Sequence, residues 1–383
     1  MMNFKAGALR PAQDAACPET LAAANDLVRR TLAQHGLWSE PADAESAAPQ
    51  FATPQFSTPG GHPALAELMR GLAARTGQPA GPGRTPRQIE IIEGAAFRRE
   101  SHAARTGSRA YRHYVPASAN GTDSEGVAGI VLMLHGCTQT PEDFALGTQM
   151  NALAEAHRLV ILYPEQSRGA NAQTCWNWFS TGDQRRDRGE PEILAGLTRK
   201  AMAEHGVPPE RVFVAGLSAG AAMAVILGET YPDIFAAVGA HSGLPFGAAR
   251  DVPSAFAAMA GDLQQAGTAP PPARAVPTIT FHGTADRTVH PTNGAEIARR
   301  AGAVPGAQAV ETQETGTQGG RGFNRTLGCD AEGRVLSEHW VIDGLGHAWS
   351  GGSQAGSYAD PAGPNASAEM VRFFLAQPKG GAA

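Results

Sequence analysis

Short, wholly apolar runs alternate along the chain with longer segments whose apolar side chains recur at helical spacing. Gly129 to Leu134, Leu159 to Tyr163, Val212 to Ala215 and Ala236 to Ala240 are continuous apolar runs of strand length, and Pro277 to Phe281 reads as a further strand. A strand with one wet face would alternate, so these runs read as strands buried on both faces of a parallel sheet. Phe144 to His157, Glu192 to His205, the Ala-rich run after Ser218 and Ala368 to Leu375 read as helices, with Glu338 to Ile342 as the last strand. Between Ala95 to Ala103 and Tyr111 to Val115 stands Thr106-Gly107, which predicts an antiparallel hairpin leading into the sheet. The fold class is therefore α/β: a doubly wound, mostly parallel sheet with helices on both faces. No internal repeat is visible.

Residues 1–90 differ from the rest. Leu21, Ala24, Leu27, Val28 and Leu32 predict an amphipathic helix capped by Thr20, and a Pro/Gly/Ala-rich stretch follows from Pro41 to Pro86, with one short helix at Ala64 to Arg75. This divides the chain into an extension, residues 1–90, and a main domain, residues 91–383. The amphipathic piece is expected to pack on the main domain or on a second copy of the chain.

With 383 residues, 42% hydrophobic and 17% charged, the chain can bury a large core. Its net charge is −5 and its Lys and Arg are scattered, which argues against a nucleic-acid groove. The apolar runs are too short to span a bilayer, so no membrane partner is expected. Met1 to Lys5 begin no apolar leader core, so no secretory signal is expected. Four cysteines are too few for a disulfide scaffold and lack metal-ligand spacing, and the reading calls for no metal or cofactor.

The chemistry concentrates at Gly216-Leu217-Ser218-Ala219-Gly220, a G-x-S-x-G pattern between a predicted strand and a predicted helix. With 46 glycines in the chain the pattern alone is weak, and the strand before it and helix after it give it force. In the other reading Ser218 only caps the helix. A serine nucleophile needs a base, and the base needs an orienting acid. Asp286 follows the strand ending at Phe281, and His347 lies five residues after the strand ending at Ile342, so these are the expected acid and base. Competing acids are Asp233, Asp330 and Asp343, and competing histidines are His241, His282, His290 and His339. An oxyanion hole is expected from the N–H groups of Ala219 and Cys137, the latter in His135-Gly136-Cys137-Thr138; a plain strand-end turn is the alternative.

Thr174 to Phe179 (Thr-Cys-Trp-Asn-Trp-Phe) crowds aromatic residues into a loop-rich region. Trp176, Trp178 and Trp349, with His135 and Leu217, are expected to line a substrate cleft, against the alternative of a satellite hydrophobic cluster. Cys137 and Cys175 both lie in loops near this site, where a bridge and a pair of reduced buried thiols are equally allowed.

Leu134-His135-Gly136-Cys137-Thr138-Gln139, Cys175-Trp176-Asn177-Trp178-Phe179, the Ser218 motif, His282-Gly283-Thr284-Ala285-Asp286 and Gly346-His347-Ala348-Trp349-Ser350-Gly351-Gly352 together make residues 95 to 376 resemble the polyhydroxybutyrate depolymerase family of esterases. That resemblance implies an α/β-hydrolase fold and acyl-enzyme hydrolysis of carboxylic esters, with Ser218 as nucleophile, His347 as base, Asp286 as its orienter, and Cys137 and Ala219 as the oxyanion hole. It implies short-chain polyhydroxyalkanoates or their oligomers as substrates, with feruloyl esters or acetylated xylan as the alternative. The family is largely extracellular. The missing leader and the lack of a linker and polymer-binding segment after Leu375 point away from crystalline polymer and toward soluble oligomers, amorphous polyester or small esters. A non-catalytic binding protein on the same fold is the remaining alternative, disfavoured by the intact Ser218, Asp286 and His347.

Overall fold

In the computed structural model the apolar runs form the middle of a ten-stranded sheet. The structure describes residues 89–120, 126–263, 276–303 and 310–378, all within one compact unit, Thr58–Ala383. The helices expected at 21–32 and 64–75 lie outside the described residues, as does nearly all of the 1–90 extension.

Strands β3 (Gly129–Leu134), β4 (Leu159–Pro164), β5 (Val212–Leu217), β6 (Ala237–His241) and β7 (Thr278–Gly283) are buried at every position. With β10 (Val335–Ile342) they form the parallel centre, β4-β3-β5-β6-β7-β10. The run in β3 is continuous because both faces are covered: Ile130, Leu132 and Leu134 enter one hydrophobic cluster, and Val131 and Met133 the other. The first face carries α3 (Gly189–His205), α4 (Ala219–Thr230), α5 (Val252–Met259) and α6 (Thr292–Gly302). The second carries α1 (Pro141–Thr148), α2 (Met150–His157) and α7 (Ala366–Leu375), where Phe374 stacks on Phe213 of β5 at 4.9 Å. Among the described residues, no helix is long and apolar enough to cross a membrane.

The lead-in hairpin is present as β1 (Ala96–Ala104) and β2 (Gly107–Val115), antiparallel to each other and to β4. Three expectations need correction. The single helix from Phe144 to His157 is two, broken at Gln149 (φ 55°). There the Gly147 and Thr148 carbonyls accept hydrogen bonds from Ser353 N–H (2.8 Å) and Ser367 Oγ (2.6 Å) instead of continuing the helix. The opposite edge of the sheet carries an antiparallel hairpin that hydrophobic patterning does not reveal, β8 (Val310–Gln318) and β9 (Arg321–Cys329). Its described β8 side chains are polar and exposed, so no apolar alternation marks it. Glu338 to Ile342 is also not the final strand, because β11 (Trp349–Ser350) and β12 (Ala359–Asp360) form a short parallel pair after it.

Replacing Phe374 with Ala removes the partner of the Phe213 stack from a fully covered face, and large-to-small changes of this kind cost about 3–5 kcal/mol. Urea denaturation of Phe374→Ala against the parent chain is expected to show that loss. A change under about 1 kcal/mol would mean the α7 face is not part of the cooperative core.

Candidate active site

Ser218 is the single residue between β5 and α4, and it carries a backbone conformation that side chains rarely adopt, φ 56° and ψ −121°. The chain reaches it because glycines flank it. A Cβ on Gly220 would sit 2.1 Å from the Leu134 carbonyl oxygen, and one on Gly216 would sit 2.4 Å from the Gly220 backbone. The corner is then tied down, since Ser218 N–H donates to the His241 carbonyl at 2.9 Å and the Ser218 carbonyl accepts from Ala222 N–H at 3.0 Å. A helix-capping role for Ser218 has no support, because its side chain makes no cap hydrogen bond to α4.

β5, β6, β7 and β10 are consecutive and parallel, so their C-terminal ends share one edge of the sheet. Ser218 follows β5, Asp286 follows β7 and His347 follows β10, which brings all three residues to that edge. His347 Nδ1 and Asp286 Oδ2 are 2.8 Å apart. Asp286 Oδ1 accepts the N–H groups of Thr288 and Val289, each at 2.9 Å. Burial pushes the Asp286 carboxyl up, but the charge of His347 and hydrogen bonds from His282 and His347 outweigh it and hold the carboxyl below its ordinary range. The ionised acid keeps the proton on His347 Nδ1 and leaves Nε2 to accept one. Ser218 Oγ makes no hydrogen bond among the described residues, and contacts of this kind often tighten only around a bound substrate.

The competing residues have other work. Asp233 takes Arg186 at 2.5 and 2.8 Å, and Asp330 closes its own turn on Arg334. His339 bonds Thr280 Oγ1, and His290 bonds Thr292 Oγ1 outside the site. His282, fully buried, holds the Val289 carbonyl at 2.8 Å and so steadies the loop that carries Asp286. His241 joins the two halves of the site: its carbonyl holds Ser218 N–H, and its Nε2 accepts Ser350 N–H at 3.0 Å, three residues past His347. Its ring lies stacked between Phe281 and Trp349. Burial, then the charges of His282 and His347, push its pKa down to about 3, so it works as a neutral acceptor.

The loop after β3 packs onto the serine, with a Cβ on Gly136 placed 3.6 Å from Ser218 Cβ. Gly136 N–H donates to Gln139 Oε1 at 2.9 Å, and Gln139 Nε2 donates to Asp143 Oδ2 and the Ser357 carbonyl, each at 3.0 Å. A disulfide joins Cys137 to Cys175, the bridged of the two states the sequence left open. The loop at its far end is anchored by buried Glu190, which accepts from Arg109 (2.9 Å), Asn177 N–H (2.8 Å) and Gln166. Ala219 N–H is at the first position of α4, where backbone donors have no partner within the helix, and Cys137, Ala219 and Ser218 all line one cleft.

The cleft corrects much of the expected substrate-binding set. Trp178 lines it, together with Phe179, Leu244, Phe256 and Met259. Trp176 does not: it is fully buried, its indole N–H donates to the His135 carbonyl at 3.1 Å, and its ring packs on His135. Trp349 is likewise in the core, donating to Ser367 Oγ at 3.0 Å and meeting Phe144 edge-on. His135, 1% exposed, spends Nδ1 on the Gly136 carbonyl and Nε2 on Gln166 N–H, and Leu217 points into the α7 face. The crowded aromatics thus divide, Trp178 and Phe179 to the cleft and Trp176 to the core. Leu244, Phe256 and Met259 were missed because they come from a loop and a helix that carry no motif. His241 carried a signal, a polar residue closing an apolar strand, but nothing local shows what its ring touches.

Residues 109–301 match the family model described as Esterase PHB depolymerase. The chain is 34% identical over 234 residues to poly(3-hydroxyalkanoate) depolymerase C of Paucimonas lemoignei, covering 57% of this chain and 55% of that protein. It is 31% identical to poly(3-hydroxybutyrate) depolymerase of Ralstonia pickettii, covering 63% and 51%. It is 27% identical to the probable acetylxylan esterase A of Aspergillus flavus, covering 61% and 78%. The chain thus spans about half the length of the first two of these curated relatives. Among solved structures, an acetyl xylan esterase from Aspergillus awamori matches with TM-score 0.53 and 20% identity over 70% of this chain and 94% of that one, a likeness of fold.

The depressed pKa of His241 gives a signed prediction. Between its ordinary value near 6.5 and about 3, only the unfolded chain binds the proton, so stability falls as pH falls through that window. Urea denaturation at pH 7 and pH 4.5 is expected to show His241→Gln losing less stability on acidification than the parent. The difference should approach about 1.4 kcal/mol per pH unit. Equal slopes would mean that His241 takes its proton inside the fold.

Proposed function

The chain belongs to the esterase PHB depolymerase family, and from that premise we propose that it is a serine carboxylic-ester hydrolase acting on short-chain polyhydroxyalkanoates, 3-hydroxybutyrate oligomers foremost, through an acyl-enzyme. The observation that carries this reading is the His347 Nδ1 to Asp286 Oδ2 contact of 2.8 Å at the sheet edge that also holds the strained Ser218. Residues 91–383 make up the proposed catalytic domain.

In the proposed reaction Ser218 Oγ attacks the ester carbonyl carbon while His347 Nε2 takes the hydroxyl proton, and Asp286 stabilises the imidazolium that forms. The Cys137 and Ala219 N–H groups receive the negative charge that develops on the carbonyl oxygen, and preorganised donors of this kind are each worth about 10²–10³ in kcat. His347 returns the proton to the departing alcohol as the carbon–oxygen bond breaks. Water then enters by the same route, His347 taking its proton, and releases the acid and free Ser218. The neighbouring Trp178, Phe179, Leu244, Phe256 and Met259 favour an apolar acyl or alcohol segment, which suits a 3-hydroxybutyrate unit.

The depolymerase relatives support the polyester reading, and the Aspergillus relative named as an acetylxylan esterase supports a second, acetylated xylan. Hydrolysis of 3-hydroxybutyrate oligomers, acetylated xylan and methyl ferulate, measured with one enzyme preparation, separates them. Preference for the hydroxybutyrate series is expected, and preference for acetylated xylan would replace the first reading with the second. Ser218→Ala should abolish turnover on every ester and block labelling by a phosphonate, whereas Asp286→Asn should lower kcat about 10⁴-fold with the fold intact. Phosphonate labelling of Ser218→Ala at the parent rate would remove Ser218 from its proposed role.

A further inference from the structure

Where the last turn of α3 meets β2, two imidazoles face one another: His113 Nε2 and His205 Nε2 are 2.9 Å apart with their rings nearly perpendicular, at 88°. His113 is fully buried, and its Nδ1 lies 3.0 Å from Glu100 Oε1. Glu100 is fixed in turn by Lys200 Nζ (2.8 Å) and Tyr111 OH (2.7 Å). The carboxylate at Nδ1 keeps that nitrogen protonated and turns the Nε2 lone pair toward His205. A carboxylate bonded to the outer nitrogen of a histidine is the arrangement that orients imidazoles toward metal ions. Glu204 adds a third donor, since its Oε1 is 3.9 Å from His205 Nε2, and one ligand atom from each of His113, Glu204 and His205 lies within 4.8 Å of the others. Among the described residues no other group of three such side chains is so placed.

We propose that His113, His205 and Glu204 bind one first-row divalent cation, with Glu100 orienting His113 and water completing the coordination. Two nitrogens each about 2.0 Å from an ion and separated by the observed 2.9 Å subtend about 90° at it. That is the angle between neighbouring ligands in square-planar or octahedral coordination, which suits Ni²⁺ or Cu²⁺ better than tetrahedral Zn²⁺. Two features make the site loadable. The negative end of the α3 dipole favours a cation beside His205. Glu204 pairs with the exposed Arg98 at 3.4 Å, and an exposed pair of this kind gives up its carboxylate readily. The 17 residues of α3 put this turn roughly 25 Å of helix away from the end that anchors the Asn177 loop, so loading the site should leave ester turnover unchanged. No short motif announces the site, because the ligands come from a strand and a helix whose histidines are 92 positions apart.

The test uses the full chain, stripped with EDTA, desalted and titrated with NiCl₂ alone by calorimetry and by thermal unfolding. The expected result is one saturable site and a rise in Tm, with affinity at least tenfold weaker in His205→Gln and reduced in Glu204→Gln. Both substituted residues are at least partly exposed, so either variant carries the test if the other fails to fold. The proposal is overturned if the parent shows no saturable binding, which leaves a plain hydrogen bond between the two imidazoles. Equal binding by the parent and the folded variants, which would place the ion elsewhere, also overturns it.

Discussion

The corner at Ser218 is the constraint on which the rest of the candidate site depends. A residue with a side chain is held in a backbone conformation that costs of order 1–3 kcal/mol, and it persists only because its surroundings leave no other arrangement. The two neighbouring glycines let β5, the start of α4 and the end of β3 approach within distances that a single methyl group would forbid. The first ten residues of α4, Ala219 to Gly228, are all buried, so the corner cannot relax without exposing the helix.

Around that corner, the electrostatics are arranged by what is kept neutral as much as by what is charged. Asp286 stays ionised because its two oxygens meet backbone N–H groups and His347, while His241 and His135 have their pKa values lowered chiefly by burial. The neutral rings serve as acceptors for N–H groups that would otherwise be unpaired: Ser350 N–H at His241 and Gln166 N–H at His135. The same residues therefore position the backbone on both sides of the serine without adding positive charge that would compete with His347 for Asp286.

The loops are held by covalent and polar ties as well as by the buried Trp176. The Cys137–Cys175 disulfide, the Gln139 contacts and buried Glu190 bind the segment after β3 to the segment that carries Trp178 and Phe179. Loops must satisfy their backbone groups individually, so side-chain caps and a crosslink add to what packing of Trp176 supplies.

The central strands, the lead-in hairpin, the serine corner and the pairing of Asp286 with His347 were all legible in the sequence. In each case the reason is local. A strand buried on both faces is mostly apolar, with its few polar side chains hydrogen-bonded, and this tight corner is flanked by glycine. An acid and a base at strand ends must also reach the same edge if those strands are parallel neighbours. Only the tertiary structure decided the rest. Trp176 and Trp349 go to the core because their indole N–H groups find the His135 carbonyl and Ser367 there, and Leu244, Phe256 and Met259 come to the cleft from elements with no local signature. The β8–β9 hairpin escaped because its described β8 side chains are polar and exposed, so no apolar alternation marks it, and the facing pair His113 and His205 escaped because its members stand 92 positions apart.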